Sequence, residues 1–93
     1  MSIVPPSWES LVGEVIVLDM VSRFVCVGTL IELQDDYFLL SEADVHDLRD
    51  TSSTRDQYLL QCSRDGMAAN RKWAWIRREE IVGFSRLTDV IVD

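Results

Sequence analysis

The pattern of apolar and polar residues predicts β-strands along most of the chain, with the strongest signal at residues 24–43. The first half of this stretch is apolar at nearly every position, as is typical of a strand that is buried on both faces or strongly bent. Gly28 is expected to mark the bend, because a residue without Cβ lets a neighbouring strand come close. A polar turn at 34–36 leads into a second strand that begins at Tyr37. We therefore expect a sharply curved hairpin, as a small closed barrel requires.

The remaining elements of the barrel follow from the same kind of pattern. Trp8, Leu11 and Val12 recur at helical spacing after two prolines. This spacing predicts a short amphipathic helix that ends at Gly13 and covers an open end of the barrel. Further strands are predicted at 14–20, 72–76 and 81–87. The tail at 88–93 is expected to add a short strand or to pack on a partner.

The segment between the third and fourth strands has a different character. Charged residues crowd into 41–50, so the third strand is expected to fray there. Thr54 and Gln57 match the capping-box pattern and Gly66 suits a helix C-terminus, which together predict a helix over 56–65. We expect a single domain over 1–93, with a helical insertion between strands 3 and 4 at approximately 44–70.

Composition excludes several classes of protein. The chain has 93 residues, of which 47% are hydrophobic, and a mean hydropathy of +0.05, as expected for one compact soluble domain. It has no apolar run long enough to span a bilayer and no secretory leader, so a cytoplasmic location without a membrane partner is expected. Cys26 and Cys62 lack CxxC spacing and are expected to be reduced thiols, a structural disulfide being the alternative.

Charge is distributed unevenly along the chain. The net charge of −7 argues against broad, non-specific binding of nucleic acid, whose phosphates are neutralised by Lys and Arg. Residues 1–60 carry three basic and eleven acidic side chains, whereas 61–93 carry six basic and five acidic ones. An anion-binding surface would therefore come from the second segment. The alternative is that its basic residues pair with the acidic half of the same or a neighbouring subunit.

These features resemble the Sm/LSm fold: a short helix, a bent five-stranded barrel, a Gly-x-Leu in the second strand and an Ile-Arg corner between the last two strands. The first motif would run from Val15 through Gly28-Thr29-Leu30 to Leu40, and the second from Trp75-Ile76-Arg77 to Ile81. The run from Ala43 to Asp50 is also similar to a group of uncharacterised bacterial Sm-like proteins. The resemblance implies a mostly β fold, a small bent barrel of five strands with an N-terminal helix.

The resemblance also implies a place for RNA. RNA-binding Sm-like proteins hold a uracil-like base with an Asp and an Asn of the second hairpin loop and the Arg-Gly of the last corner. Here Gln34 and Phe38 stand at the loop positions, or Asp35 and Leu39 after a slip of one residue. Single-stranded RNA would therefore be bound weakly or through a non-standard pocket.

The corner itself follows the family only in part. Arg77 matches the corner arginine, whereas Arg78 replaces the glycine. Phe38 could stack on a base, although an aromatic residue in a half-buried strand usually packs in the core. The candidate RNA contacts are Arg77, Arg78, Phe38, Gln34, Arg71 and Lys72. The alternative for the basic residues is a set of salt bridges between subunits.

Assembly is the second implication of the resemblance. In Sm-like proteins the fourth strand of one subunit pairs with the fifth strand of the next, so that a ring closes, and apolar strand edges are what a monomer would have to hide. The candidate interface residues are Trp73, Trp75, Ile81, Val82 and Phe84. The expected partner is a second copy of the chain in a homo-oligomeric ring. The alternative is a protein partner recognised through the 44–70 insertion, without nucleic acid.

Catalytic chemistry has little support in the sequence. Asp44, His46, Asp47 and Asp50 carry oxygen and imidazole groups that could hold a divalent ion. The chain has a single His, however, and solvated loop charges or pairing with nearby arginines are the alternative. We expect no enzyme, no catalytic residue, no metal and no cofactor.

Overall fold

Five antiparallel strands form one bent sheet in the order β4-β3-β2-β1-β5 in a computed structural model, which describes residues 7–50 and 54–91, Asp50 by its backbone alone. The strands are β1 (Val15–Met20), β2 (Phe24–Leu33), β3 (Tyr37–Asp47), β4 (Arg71–Arg77) and β5 (Ile81–Arg86). Helix α1 (Arg55–Asp65) connects β3 to β4. The prediction of a mostly β fold, with a bent sheet of five strands and a helix between strands 3 and 4, is confirmed.

The sheet buries apolar side chains on both faces. The inner core fills the concave face and is made chiefly of Ile16, Leu18, Cys26, Leu30, Phe38 and Leu40. A second group, the outer cluster, packs between the opposite face and α1 and contains Val17, Val25, Val27, Tyr58 and Cys62. The all-apolar pattern of β2 therefore has both predicted causes, burial on two faces and a bend.

The bend in β2 and β3 lies at Gly28, where the two strands approach each other closely. Between Val27 and Thr29 the pairing with β3 shifts register, and Glu42 on β3 has a positive φ of 48°. A Cβ placed on Gly28 would lie 3.0 Å from Ala43 Cβ. Glycine is therefore required at position 28 by the approach of β3, as the sequence predicted.

The third strand does not fray where its charged residues begin. It continues to Asp47, with His46 opposite Val25 and Asp47 opposite Phe24. Val45 packs against the inner core, whereas Asp44 bonds to α1 on the opposite face. The predicted fraying is wrong for residues 41–47, because after the irregularity at Glu42 the side chains again alternate between two covered faces; residues 44–47 belong to the sheet, and the strand ends before the 3₁₀ turn Leu48–Asp50.

Capping and terminal elements match the sequence in most respects. Thr54 and Gln57 form a complete capping box, which sets the start of α1, and Gly66 follows its end with a φ of 78°. The N-terminal helix is a single 3₁₀ turn, Trp8–Leu11, whose Trp8 ring lies 4.4 Å from the ring of Phe38. The prolines that precede it, at 5 and 6, lie outside the described residues.

The C-terminal segment returns over the outer face of the sheet. Leu87–Asp89 forms a 3₁₀ turn, and Val90 packs against the outer cluster. Through residue 91 the tail adds no strand, and 92–93 lie outside the described residues. No helix in the described part of the chain is long and apolar enough to cross a membrane.

Candidate functional site

The residues predicted for a subunit interface lie on the two edge strands, β4 and β5, and three of them are exposed. Trp73 and Trp75 on β4 are 46% and 57% exposed, and Val82 on β5 is 63% exposed. Ile81 and Phe84 instead turn toward the inner core, where the Phe84 ring centroid lies 3.9 Å from that of Trp8. In the described residues the hydrogen-bonding edges of β4 and β5 have no strand beside them.

An apolar groove runs along the β5 edge. Its volume is about 510 Å³. Its walls are formed by Trp8 and Leu11 of the N-terminal 3₁₀ turn, by all of β5 and by Asp89. Arg86 at the end of the groove is held by Glu14, whose carboxylate lies 2.9 Å from the guanidinium Nε. The groove is thus apolar along its length and charged at one end.

The corner between β4 and β5 borders a second, polar cavity. The β2–β3 turn meets the 3₁₀ turn Arg78–Glu80, where the Arg78 N–H donates to the Asp36 carbonyl at 2.9 Å. A cavity of about 550 Å³ opens there, hereafter the corner pocket, lined by Asp35, Asp36, Tyr37, Arg77, Arg78 and Glu79. Three acidic residues and two arginines leave the corner pocket with a small net negative charge.

The two arginines of the corner pocket differ in their surroundings. Arg77 is exposed and its guanidinium lies 2.8 Å from the Glu79 carboxylate. Arg78 lies over the ring of Phe38 at 4.9 Å from its centroid, and its Nε is buried without a hydrogen-bond partner among the described residues. Gln34 lies in the adjoining turn and donates its amide to Glu32 at 2.7 Å.

Phe38 is not free to stack on a base. It is fully buried, with the Trp8 ring at 4.4 Å and the Arg78 guanidinium over one face. The core alternative is therefore the one the structure shows, and Phe38 is removed from the candidate RNA contacts. Its role is to pack the inner core beneath the corner pocket.

The four basic residues 71, 72, 77 and 78 do not form one cluster. Arg71 begins β4 and Arg77 ends it, a separation of about 20 Å at the rise of a strand. Arg71 donates to the Asn70 carbonyl at 3.0 Å, far from the corner pocket. The proposed grouping is wrong because it treated closeness in sequence along an extended strand as closeness in space.

The acidic and histidine residues of β3 fasten α1 to the sheet. Tyr58 donates its hydroxyl to Asp44 at 2.5 Å, and Asn70 Nδ2 donates to the other Asp44 oxygen at 3.0 Å. His46 stacks on the Tyr58 ring at 4.1 Å. Asp47 binds Arg49 instead, at 2.6 Å. In residues 7–50 and 54–91, no group of three His, Cys, Asp or Glu side chains could hold a metal ion.

Burial raises the pKa of Tyr58 and of both cysteines. Desolvation and the hydrogen bond to Asp44 raise the pKa of Tyr58, and desolvation raises the pKa of Cys62. Desolvation also raises the pKa of Cys26, in the inner core, to about 12. Both cysteines are free and lie on opposite faces of the sheet, so neither has the low pKa of a reactive thiol.

Sequence reasoning missed Tyr58 and Asn70 as partners of Asp44. The three residues are separated by 14 and 26 positions, and no local spacing links them. The sequence pattern places Tyr58 only within the helix predicted over 56–65. Its hydroxyl contact depends on how α1 lies on the sheet, which a helical period does not determine.

Comparison with known proteins supports the fold alone. No protein-family model matches the chain, and no curated protein matches it. A chain in the crystal structure of the NatC complex bound to CoA is similar to it in structure, with a TM-score of 0.55 and 15% sequence identity. The similarity covers 100% of this chain and 90% of the other.

Proposed function

We propose that this protein is a non-enzymatic, Sm-like assembly module whose copies join β4 to β5 in a closed ring, and that the ring binds single-stranded RNA weakly. The observation that carries the proposal is the two outer edges of the sheet, on β4 and β5, which have no strand beside them in the described part of the chain. Both edges carry exposed apolar residues, Trp73 and Trp75 on β4 and Val82 on β5. Such edges favour pairing with another strand.

Head-to-tail pairing suits the shapes of the two edges. Because β4 and β5 are different surfaces, joining them is a heterologous contact, which closes when the rotation per copy permits. On β5, Gly83 and Ser85 are small residues. They pair with Asp19 and Val17 of β1. A neighbouring β4 could therefore lie beside them without a clash with its tryptophans.

Sedimentation of the purified protein with Val82→Pro and Val82→Thr tests the ring. Proline removes a backbone N–H and puts a ring at the β5 edge, whereas threonine keeps the N–H and the branched shape. We expect wild type and Val82→Thr to sediment as one oligomer and Val82→Pro to shift toward monomer with the same circular dichroism. A wild-type monomer at high concentration, or identical oligomers for the proline and threonine variants, would contradict the ring.

The corner pocket is the proposed RNA contact. Arg77 and Arg78 both line it, while Asp35, Asp36 and Glu79 oppose a polyanion there. We expect weak, salt-sensitive binding of oligo(U), reduced in Arg77→Ala with the oligomer intact and unchanged in Arg64→Ala, whose residue lies on α1. Absence of binding at low salt would remove RNA from the proposal and leave the ring.

A second candidate function is a protein scaffold that binds its partner through the segment around α1. The observation that favours it is the exposed side of α1, which includes Gln61 and Asp65 and faces away from the sheet. Deleting α1 would expose the outer cluster, so exposed Gln61 and Asp65 are the better sites to change. Loss of one identified partner from affinity capture with Gln61→Lys and Asp65→Lys, with the oligomer intact, would support it. Capture of the same proteins by wild type and variant would exclude it.

A further inference from the structure

Four alternate residues of β4 form a row on the convex side of the sheet. Side chains at every second position of a strand share a face, and Ala74 and Ile76 occupy the opposite, buried one. The row, here the tryptophan stripe, consists of Arg71, Trp73, Trp75 and Arg77. All four residues are exposed. Each end of a pair of indole rings is therefore occupied by a guanidinium group.

Helix α1 covers a different part of this face. Its buried residues, Tyr58 and Cys62, pack on Val17, Val25 and Val27 of β1 and β2. The neighbours of the stripe on β3 are Tyr37, Leu39 and Ser41, which lie opposite Arg77, Trp75 and Trp73. The stripe and these β3 neighbours contain no acidic residue, in a chain whose net charge is −7, and the one carboxylate that the structure places against the stripe within the described residues is that of Glu79, 2.8 Å from the Arg77 guanidinium.

Edge pairing would leave the two indole rings on the surface. A strand added beside β4 extends the sheet in its own plane and adds no layer above it. If that strand is β5 of another copy, the residues beside the rings on this face would include Gly83 and Ser85, which are too small to cover them. Ring closure would therefore pair the backbone of β4 and still leave the faces of the Trp73 and Trp75 indoles exposed.

We propose that the tryptophan stripe binds single-stranded nucleic acid by stacking bases on Trp73 and Trp75. Indole rings at alternate positions of a strand lie about 6.6 Å apart, which presents two separate platforms. Aromatic platforms beside basic groups bind single strands with little sequence preference. Arg71 and Arg77 at the two ends would contact the phosphates. The proposal goes beyond the proposed function, since stacking needs neither the ring nor the corner pocket.

The charge of the whole protein sets the character of this binding. A chain of net charge −7 repels a polyanion, so most of the affinity must come from stacking. With two arginines in contact, the logarithm of the binding constant should fall with the logarithm of salt concentration with a slope of about −1.4. The slope is shallow because few counterions are released.

Fluorescence anisotropy of labelled oligo(dT) and oligo(U), with the intact 93-residue chain at low salt, tests the stripe. Trp73→Leu and Trp75→Leu each remove one indole on which a base would stack. Each should lower the affinity about 5- to 140-fold. Trp75→Phe keeps an aromatic face and should retain most of the affinity. Arg71→Ala should weaken binding and flatten the salt slope, whereas the matched control Val21→Ser, at an exposed turn residue, should change neither.

Four results would overturn the proposal. The first is equal affinity of wild type and Trp75→Leu. The second is equal binding of an abasic oligonucleotide or equal competition by poly-glutamate, since both carry charge without bases. The third is a smaller oligomer for Trp75→Leu at unchanged affinity per subunit, which would assign the Trp75 indole to the subunit interface. Loss of binding in Arg78→Ala alone, with Trp75→Leu unaffected, would assign the nucleic acid to the corner pocket instead.

Discussion

Replacing Gly28 with alanine tests how tightly the bent sheet is packed. The added Cβ would lie 3.0 Å from Ala43 Cβ, 3.1 Å from Ala43 Cα and 3.3 Å from Leu40 Cβ. None of these atoms can rotate away, because each belongs to the backbone or is attached directly to it. The strands must therefore separate by several tenths of an ångström.

The expected cost follows from the packing of the surroundings. Leu40 and Ala43 are fully buried in the inner core, and overfilling such a site typically costs about 1–3 kcal/mol. Ala43→Gly in the same chain removes the closest contact and leaves those with Ala43 Cα and Leu40 Cβ. The double variant should therefore regain part of the stability lost on Gly28→Ala.

Urea unfolding followed by circular dichroism, at one fixed protein concentration, measures the effect. A double-mutant cycle of Gly28→Ala and Ala43→Gly isolates their coupling. Two results would show that β2 and β3 do not approach each other closely at Gly28. One is a change of less than about 0.5 kcal/mol in the free energy of unfolding on Gly28→Ala, and the other is no recovery of stability when Ala43→Gly is added to it.

Three other predictions concern the ionisable groups. Tyr58→Phe removes a hydrogen bond to a carboxylate and should cost about 1.5–3 kcal/mol in urea unfolding; unchanged stability would show that the contact with Asp44 does not fasten α1. The pKa of Cys26 is raised from 9.0 to about 12, so its contribution to stability is constant below about pH 9 and falls as pH rises toward 12, a loss that Cys26→Ala should reduce. The hydrogen bonds from Arg49 lower the pKa of Asp47 from 3.8 to about 2. The contribution of Asp47 to the free energy of unfolding is therefore present above about pH 4 and lost as pH falls through 2. If Asp47→Asn loses stability between about pH 4 and about pH 2 as steeply as wild type, this prediction is contradicted.

The sequence predicted the elements whose signals are local. The strands alternate, and the capping box of Thr54 and Gln57 marks the start of α1 within one residue. These features depend on neighbours a few positions apart, which a linear pattern contains. The order of the strands in the sheet agrees with the expected bent architecture.

The end of β3 could not be predicted because an extra residue interrupts its alternation. Before Glu42, the side chains of β3 that pack in the inner core are those of Phe38 and Leu40. After Glu42 they are those of Ala43 and Val45. This change from even to odd positions makes a continuous strand look like an irregular charged loop. A bulge of this kind becomes visible only when the partner strand is known.

The candidate sites were predicted in part. Arg77 and Arg78 do line one pocket, because they lie at a single corner between consecutive strands. Arg71 and Lys72 lie at the other end of β4, and the negative charge of the pocket comes partly from the distant turn that holds Asp35 and Asp36. Contacts between distant segments, like that of Tyr58 with Asp44, depend on the whole fold.

Hydrogen exchange at the edges of the sheet tests the central claim, pairing of β4 with β5 between copies, most directly. Backbone N–H groups that point outward from β4 and β5 should be protected in concentrated protein and exchange rapidly on dilution to monomer, while β1 and β2 amides inside the sheet stay protected throughout. Rapid exchange at both edges in concentrated protein, with the interior strands protected, would contradict the account.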